Sequence, residues 1–182
     1  MLALLWAFLF LASWGLNMRF SIGDYVVYGE TGVCSVEEIV IKTMPDGEKE
    51  CYKLKPLNQS FMIFTPTENG NVFMRAVITK EEADAMIADI CSQEIVIHKG
   101  TSPRDLNEKY DRIIKTHDCG ELLKLSRSID EKRRVLAQQK RKLSAIDERF
   151  VKKAEDLLFG ELAVVFGIKK TEVREYIENK IV

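Results

Sequence analysis

The stretch MRFSIGDYVVYGETGVCSVEEIVIKTMPDGEKECYKLKP, residues 18–56, decides how the front of this chain folds. Tyr25-Val26-Val27-Tyr28 is β-branched and aromatic, and Gly23-Asp24 and Gly29 flank it as turn signals. A second run, Val33 to Ile41, has Val33, Val36, Ile39 and Ile41 as its apolar members. Pro45-Asp46-Gly47 reads as a tight hairpin turn, because Asp and Gly tolerate the positive φ that such turns demand. The returning strand is Glu50 to Leu54, and Pro56-Leu57-Asn58 connects it to a fourth strand, Phe61 to Thr65. Val72 to Arg75 supplies a fifth. Four or five short strands in so little chain predict a small, strongly bent β barrel of the Tudor or SH3-like kind. Such a module offers an edge strand for docking by strand addition to another protein's sheet.

From Thr79 the periodicity becomes helical. Thr79-Lys80-Glu81-Glu82 is a capping box, followed by Ala83, Met86, Ile87 and Ile90 at helical spacing. Residues 98–102 read as a linker, closed by Pro103 near a helix start. Leu106, Tyr110, Ile113 and Ile114 mark the next helix, which breaks around Asp118-Cys119-Gly120. Leu122 to about Leu143 reads as one long helix, and Ser144 to Asp147 as a second capping box. The helix that follows carries Phe150, Val151, Ala154, Leu157, Leu158, Leu162 and Val165 before Gly167 stops it. Thr171 is expected to cap a last helix ending near Ile181. The fold class is therefore α+β: a β barrel over 18–77 and an all-α bundle over 78–182.

Residues 1–17, MLALLWAFLFLASWGLN, stand apart as an almost wholly apolar extension. They lack the basic flank of a secretory signal, and about 24 Å of helix is short against a hydrocarbon core of about 30 Å. The reading preferred is a segment upstream of a true start at Met18. A membrane anchor and a helix docked on the protein are the alternatives.

The formal net charge of −1 hides a split: residues 18–98 sum to −6, residues 99–153 to +7 and residues 154–182 to −2. The middle of the chain is thus suited to a polyanion. Lys132, Arg133, Arg134, Lys140, Arg141 and Lys142 form its densest basic run, with no acid between them. Phosphate contact by such residues releases counterions and makes binding salt-dependent, while nothing here has the geometry of base readout. Cys34, Cys51, Cys91 and Cys119 show no C-x-x-C pairing and the two histidines no metal-binding spacing, so neither a metal nor another cofactor is expected. Asp24, Glu30, Glu37 and Glu38 sit at turns and strand edges without a positioned partner, and no Walker loop or nucleophile elbow occurs. An enzyme is not expected.

Two stretches carry a resemblance. Met18-Arg19-Phe20-Ser21-Ile22-Gly23-Asp24-Tyr25-Val26-Val27-Tyr28 with Gly32-Val33 resembles the opening of the CarD-like (CarD/CdnL) family of bacterial RNA polymerase-binding regulators. So does Leu143-Ser144-Ala145-Ile146-Asp147-Glu148-Arg149 leading to Ala154, Leu157, Leu158, Glu161, Leu162 and Ala163. The first run also resembles the polymerase-binding module of transcription-repair coupling factors, but this chain has no helicase motor. Gly29 and Thr31 stand where family members have Pro and His.

The resemblance implies that the β module binds the polymerase β subunit, with Lys42 near the partner and Phe61, Ile63 and Phe64 on the partner-facing strand. Phe61 and Phe64 read equally well as barrel core. It implies that the helical domain meets promoter DNA and stabilises the opened complex. Arg104, Lys109, Arg133, Arg134, Lys140, Arg141, Lys142 and Arg149 are the candidate contacts, to backbone or minor groove. Leu106 occupies the place of the family's tryptophan wedge, in Pro103-Arg104-Asp105-Leu106-Asn107-Glu108-Lys109-Tyr110. Leucine can wedge between base steps, and its helical spacing equally suits an ordinary core residue. The expectation is a monomeric, cytoplasmic, nucleoid-associated transcription regulator with no small-molecule substrate. The alternative is a membrane-tethered adaptor that uses 1–17 as its anchor.

Overall fold

A computed structural model describes residues 19–45, 47–68, 70–98, 100 and 102–180. The extension 1–17 and Asp46 of the hairpin turn lie outside the described residues. Strands run β1 (Tyr25–Tyr28), β2 (Gly32–Met44), β3 (Gly47–Pro56), β4 (Ile63–Pro66) and β5 (Met74–Ala76). All pairings are antiparallel, in the order β4-β3-β2-β1-β5. β2 and β3 are long, and their register shifts between Val36 and Glu38, where Glu37 is the extra residue. A bulge of this kind sharpens the local twist. The expected barrel is not closed: β4 and β5 form opposite edges and do not pair with each other. The sheet ends on both sides in short strands, of four residues in β4 and three in β5.

Phe20 closes the β core. Its backbone N–H donates to the Tyr52 hydroxyl at 2.9 Å, and the two rings meet edge to face. Around them pack Val26, Cys34, Val36 and Leu54, with Ile63 and Met74 at the margin. Burial pushes the Cys34 thiol up to about 11, so it behaves as a small apolar group.

The helices are α1 (Lys80–Ser92), α2 (Pro103–Ile114), α3 (Cys119–Gln138), α4 (Ala145–Phe166) and α5 (Val173–Asn179). Both capping boxes form, at Thr79 with Glu82 and at Ser144 with Asp147. Pro103 opens α2, and Gly167 ends α4 in the left-handed conformation. Asp118 caps α3, which therefore starts at Cys119 rather than Leu122. It ends at Gln138 rather than near Leu143, because the apolar spacing lapses after Leu136 and Lys140 turns left-handed at φ 56°. The last helix also departs from expectation: Thr171 lies in a 3-10 turn (Lys170–Glu172), and α5 has no side-chain cap. Ile87, Leu106, Tyr110, Leu125, Ile129, Phe150, Ala154, Leu158, Leu162 and Val173 fill a core shared by α1 to α5. Among the described residues, no helix is long and apolar enough to cross a membrane.

Candidate functional site

The four-residue strand β4 forms one edge of the sheet, with its inner side paired to β3 from Cys51↔Pro66 to Leu54↔Ile63. Alternation splits its side chains. Ile63 turns inward against the β core, whereas Phe64 emerges on the other face, opposite Lys53. Lys42 reaches across from β2 and places its ammonium 3.8 Å from the Phe64 ring centroid. Just before the strand, Phe61 and Met62 are about half exposed, at 52% and 42%. Ile41 adds further uncovered apolar surface on the hairpin. Of the four residues expected on the partner-facing side, Lys42, Phe61 and Phe64 are thus on the surface, and Ile63 supports the strand from within. A free edge with apolar and cationic side chains on its outer face can accept an additional strand and hold it by contacts with that face.

The second candidate surface is the turn between α3 and α4. Folding changes the meaning of its six cations. Lys132 donates to buried Asp147 at 2.8 Å. Arg133 pairs with Asp130 and Glu148, and Arg134 with Glu131 in two hydrogen bonds. Lys140, Arg141 and Lys142 are exposed and make no ion pair among the described residues. The undivided positive charge of the run therefore sits on the turn. Arg104 is bound to Glu108 one helical turn away, and Arg149 holds Asn107 and covers the Phe150 ring. Lys109 lies half-buried beside His98, whose imidazole is held below its ordinary pKa by burial and then by the Lys109 charge. Leu106 belongs to the helical core with only 8% of its surface exposed.

Asp147 joins this turn to the bundle. Its carboxylate accepts from Tyr110 Oη at 2.9 Å, from Lys132 Nζ at 2.8 Å and from Ser144 Oγ at 2.8 Å. Burial pushes the Asp147 carboxyl up, but these donors together hold it below the ordinary carboxylate range. The Tyr110 hydroxyl is raised by burial and by the neighbouring carboxylate.

A third cluster joins the two halves of the molecule. Arg75 in β5 meets the 2%-exposed Glu161 of α4 at 2.5 and 2.9 Å, one bond from each terminal nitrogen. Nε and Nη2 of Arg75 also donate to the His117 carbonyl, while Phe73 stacks on the His117 ring with centroids 4.5 Å apart. Sequence reasoning passed over this pair, although a glutamate inside the apolar run of α4 is itself a signal. Glu30, considered above as a carboxylate without a partner, bridges the same two halves through Lys153. The other three acids are also engaged locally: Asp24 with the Ser21 N–H, Glu37 with the Ser35 hydroxyl and Glu38 with Lys53.

The sheet described here coincides with a known domain type. The family model described as the CarD-like/TRCF RID domain matches residues 20–78, from the Phe20 plug to Ile78, two residues beyond β5. That domain type is an RNA polymerase β-interacting module, and residues 20–78 of this chain are similar to it.

Proposed function

We propose that this protein is a non-catalytic transcription regulator that docks on the RNA polymerase β subunit and stabilises promoter open complexes through its helical domain. The observation that carries this reading is the unpaired β4 edge with Phe61, Met62, Phe64 and Lys42 beside it, in a domain of the polymerase-interacting type. Main-chain pairing to a strand of the β lobe supplies affinity, and the exposed rings supply selectivity.

Promoter DNA is met by Lys140, Arg141 and Lys142, with Arg133, Arg134, Arg149, Arg104 and Lys109 as secondary contacts once their local partners yield. The contact is to phosphates rather than to base edges. The burial of Leu106 favours this mode over wedging, since insertion would take Leu106 out of the helical core. Binding the opened promoter shifts the closed–open equilibrium, each 1.4 kcal/mol giving about tenfold.

The test is co-purification of the full chain with a fragment of the polymerase β lobe, followed by open-complex lifetime with and without the protein. Association at micromolar concentration and a longer lifetime are expected. Absence of association at that concentration refutes the reading.

A further inference from the structure

The covalent link between the two halves is short and extended: β5 ends at Ala76 and α1 begins at Lys80. Among the contacts that join them is a network around one carboxylate. Glu161 Oε1 accepts from Arg75 Nη1 at 2.5 Å and from the Ile78 N–H at 3.0 Å. Oε2 accepts from Arg75 Nη2 at 2.9 Å and from the Cys119 thiol at 3.0 Å. Arg75 Nη1 also donates to the Ala76 carbonyl. Four segments thus converge on two side chains: β5, the residues just after it, the start of α3 and the last third of α4.

The guanidinium is suited to this work, because its planar fork serves several acceptors in fixed directions that an ammonium cannot reproduce. Burial lowers the Arg75 pKa, and the hydrogen bond and charge of Glu161 more than restore it. A buried ion pair adds little net stability over well-packed apolar groups, and its best-attested use is to fix one arrangement among several.

We propose that Glu161, acting through Arg75, is a positioning residue: it sets the angle at which the β4 edge and the 140–142 turn face one promoter complex. This rests on the transcription reading above. Two weak sites held in the right relation bind far more tightly than either alone, and loss of that relation forfeits the gain without touching either site.

The experiment uses the full chain with Glu161→Gln and, separately, Arg75→Lys. Spin labels go on Glu48→Cys in β3 and Gln139→Cys after α3, both exposed positions, in a Cys91→Ser background because the other three thiols are buried. Circular dichroism confirms folding, and Arg75→Lys serves if Glu161→Gln does not fold. The parent is expected to give one narrow distance and the variants a broadened one. Affinities for the β-lobe fragment and for duplex DNA should each stay within about twofold. Open-complex lifetime at saturating protein should fall about tenfold, the size of effect expected when two linked contacts are no longer held in register. An unbroadened distance, an unchanged lifetime or a variant that loses lobe affinity overturns the positioning role. A parent chain that ignores the lobe fragment overturns the transcription reading and the functional half of this proposal, while the distance measurement judges the joint on its own.

Discussion

Replacing Asp147 with Ala removes a group with no exposed surface that three side chains share. The capping contact at Ser144 is worth about 1 kcal/mol. A buried Tyr110 hydroxyl left without its acceptor costs about 1–3 kcal/mol. Lys132 retains some exposure and can swing toward water, which keeps its share small. The total is about 3 kcal/mol, at the lower end of the range for breaking a buried pair. For a chain of this size, that corresponds to a melting-temperature drop of roughly 6–12 °C. Thermal unfolding followed at 222 nm measures it, and a loss below about 1 kcal/mol would refute the assignment of Asp147 as the anchor of this corner. Acid supplies an independent check. The folded-state carboxyl lies below its unfolded value of about 3.9. Its contribution is therefore fully present above that pH and is lost as pH falls through the folded pKa. The stability gap between the wild type and Asp147→Asn, measured in urea, should narrow as pH falls below about 4; a gap that is constant or widens contradicts the sign.

Three further outcomes are expected. Changing Lys140, Arg141 and Lys142 together to Ala should weaken duplex binding and make the log–log salt slope shallower by about two to three, at roughly 0.9 per phosphate lost. Changing Arg133 and Arg134, which are already paired, should do much less in the same titration. Phe64→Ala should weaken β-lobe-fragment binding about tenfold in calorimetry, the loss typical of an interface anchor, while unfolding free energy changes by under about 1 kcal/mol because the ring is largely outside the core. Gly32→Ala should cost about 1–3 kcal/mol of stability in a chemical melt, since φ 85° with ψ −147° is a conformation almost reserved for glycine. The added Cβ would also meet Leu157 of α4 at 3.4 Å.

The elements that could be read from the chain are those whose signals are local. Thr79 with Glu82, Ser144 with Asp147, Pro103 and Gly167 announce helix ends because capping groups and their backbone partners lie within a turn of each other. Alternation and glycine turns placed β1 to β3 for the same reason. What escaped depends on distance along the chain. No local pattern marks Glu37 as the bulge or keeps β4 from meeting β5. Arg75 and Glu161 are separated by 86 residues, and a single sequence offers each as an isolated charge in an apolar setting. The pairing of Arg133 and Arg134 with Asp130 and Glu131 was within reach, since acids three residues earlier share the same helix face. Lys132's partner, fifteen residues on, was not. Leu106 was ambiguous because one helical period serves equally for a core face and for a protruding wedge.

Charge run and charge field are therefore different quantities in this molecule, and helix α4 explains why. Asp147 at its first turn draws Lys132 inward and ties the 140–142 turn to the bundle. Glu161, fourteen residues later and about 21 Å along the axis at 1.5 Å per residue, ties the same helix to the β module. Both anchors are carboxylates turned to a buried face, where each meets a cation from a different element. A buried acid needs a cation, so each anchor removes positive charge from the surface while fixing a joint. The cations left over in that run, Lys140 to Lys142, make no ion pair among the described residues, and they lie just before a helix whose later contacts hold the β module. Lys132, Arg133 and Arg134 are engaged within the protein first, so any charge they offer a polyanion must be released from Asp147, Asp130, Glu148 or Glu131.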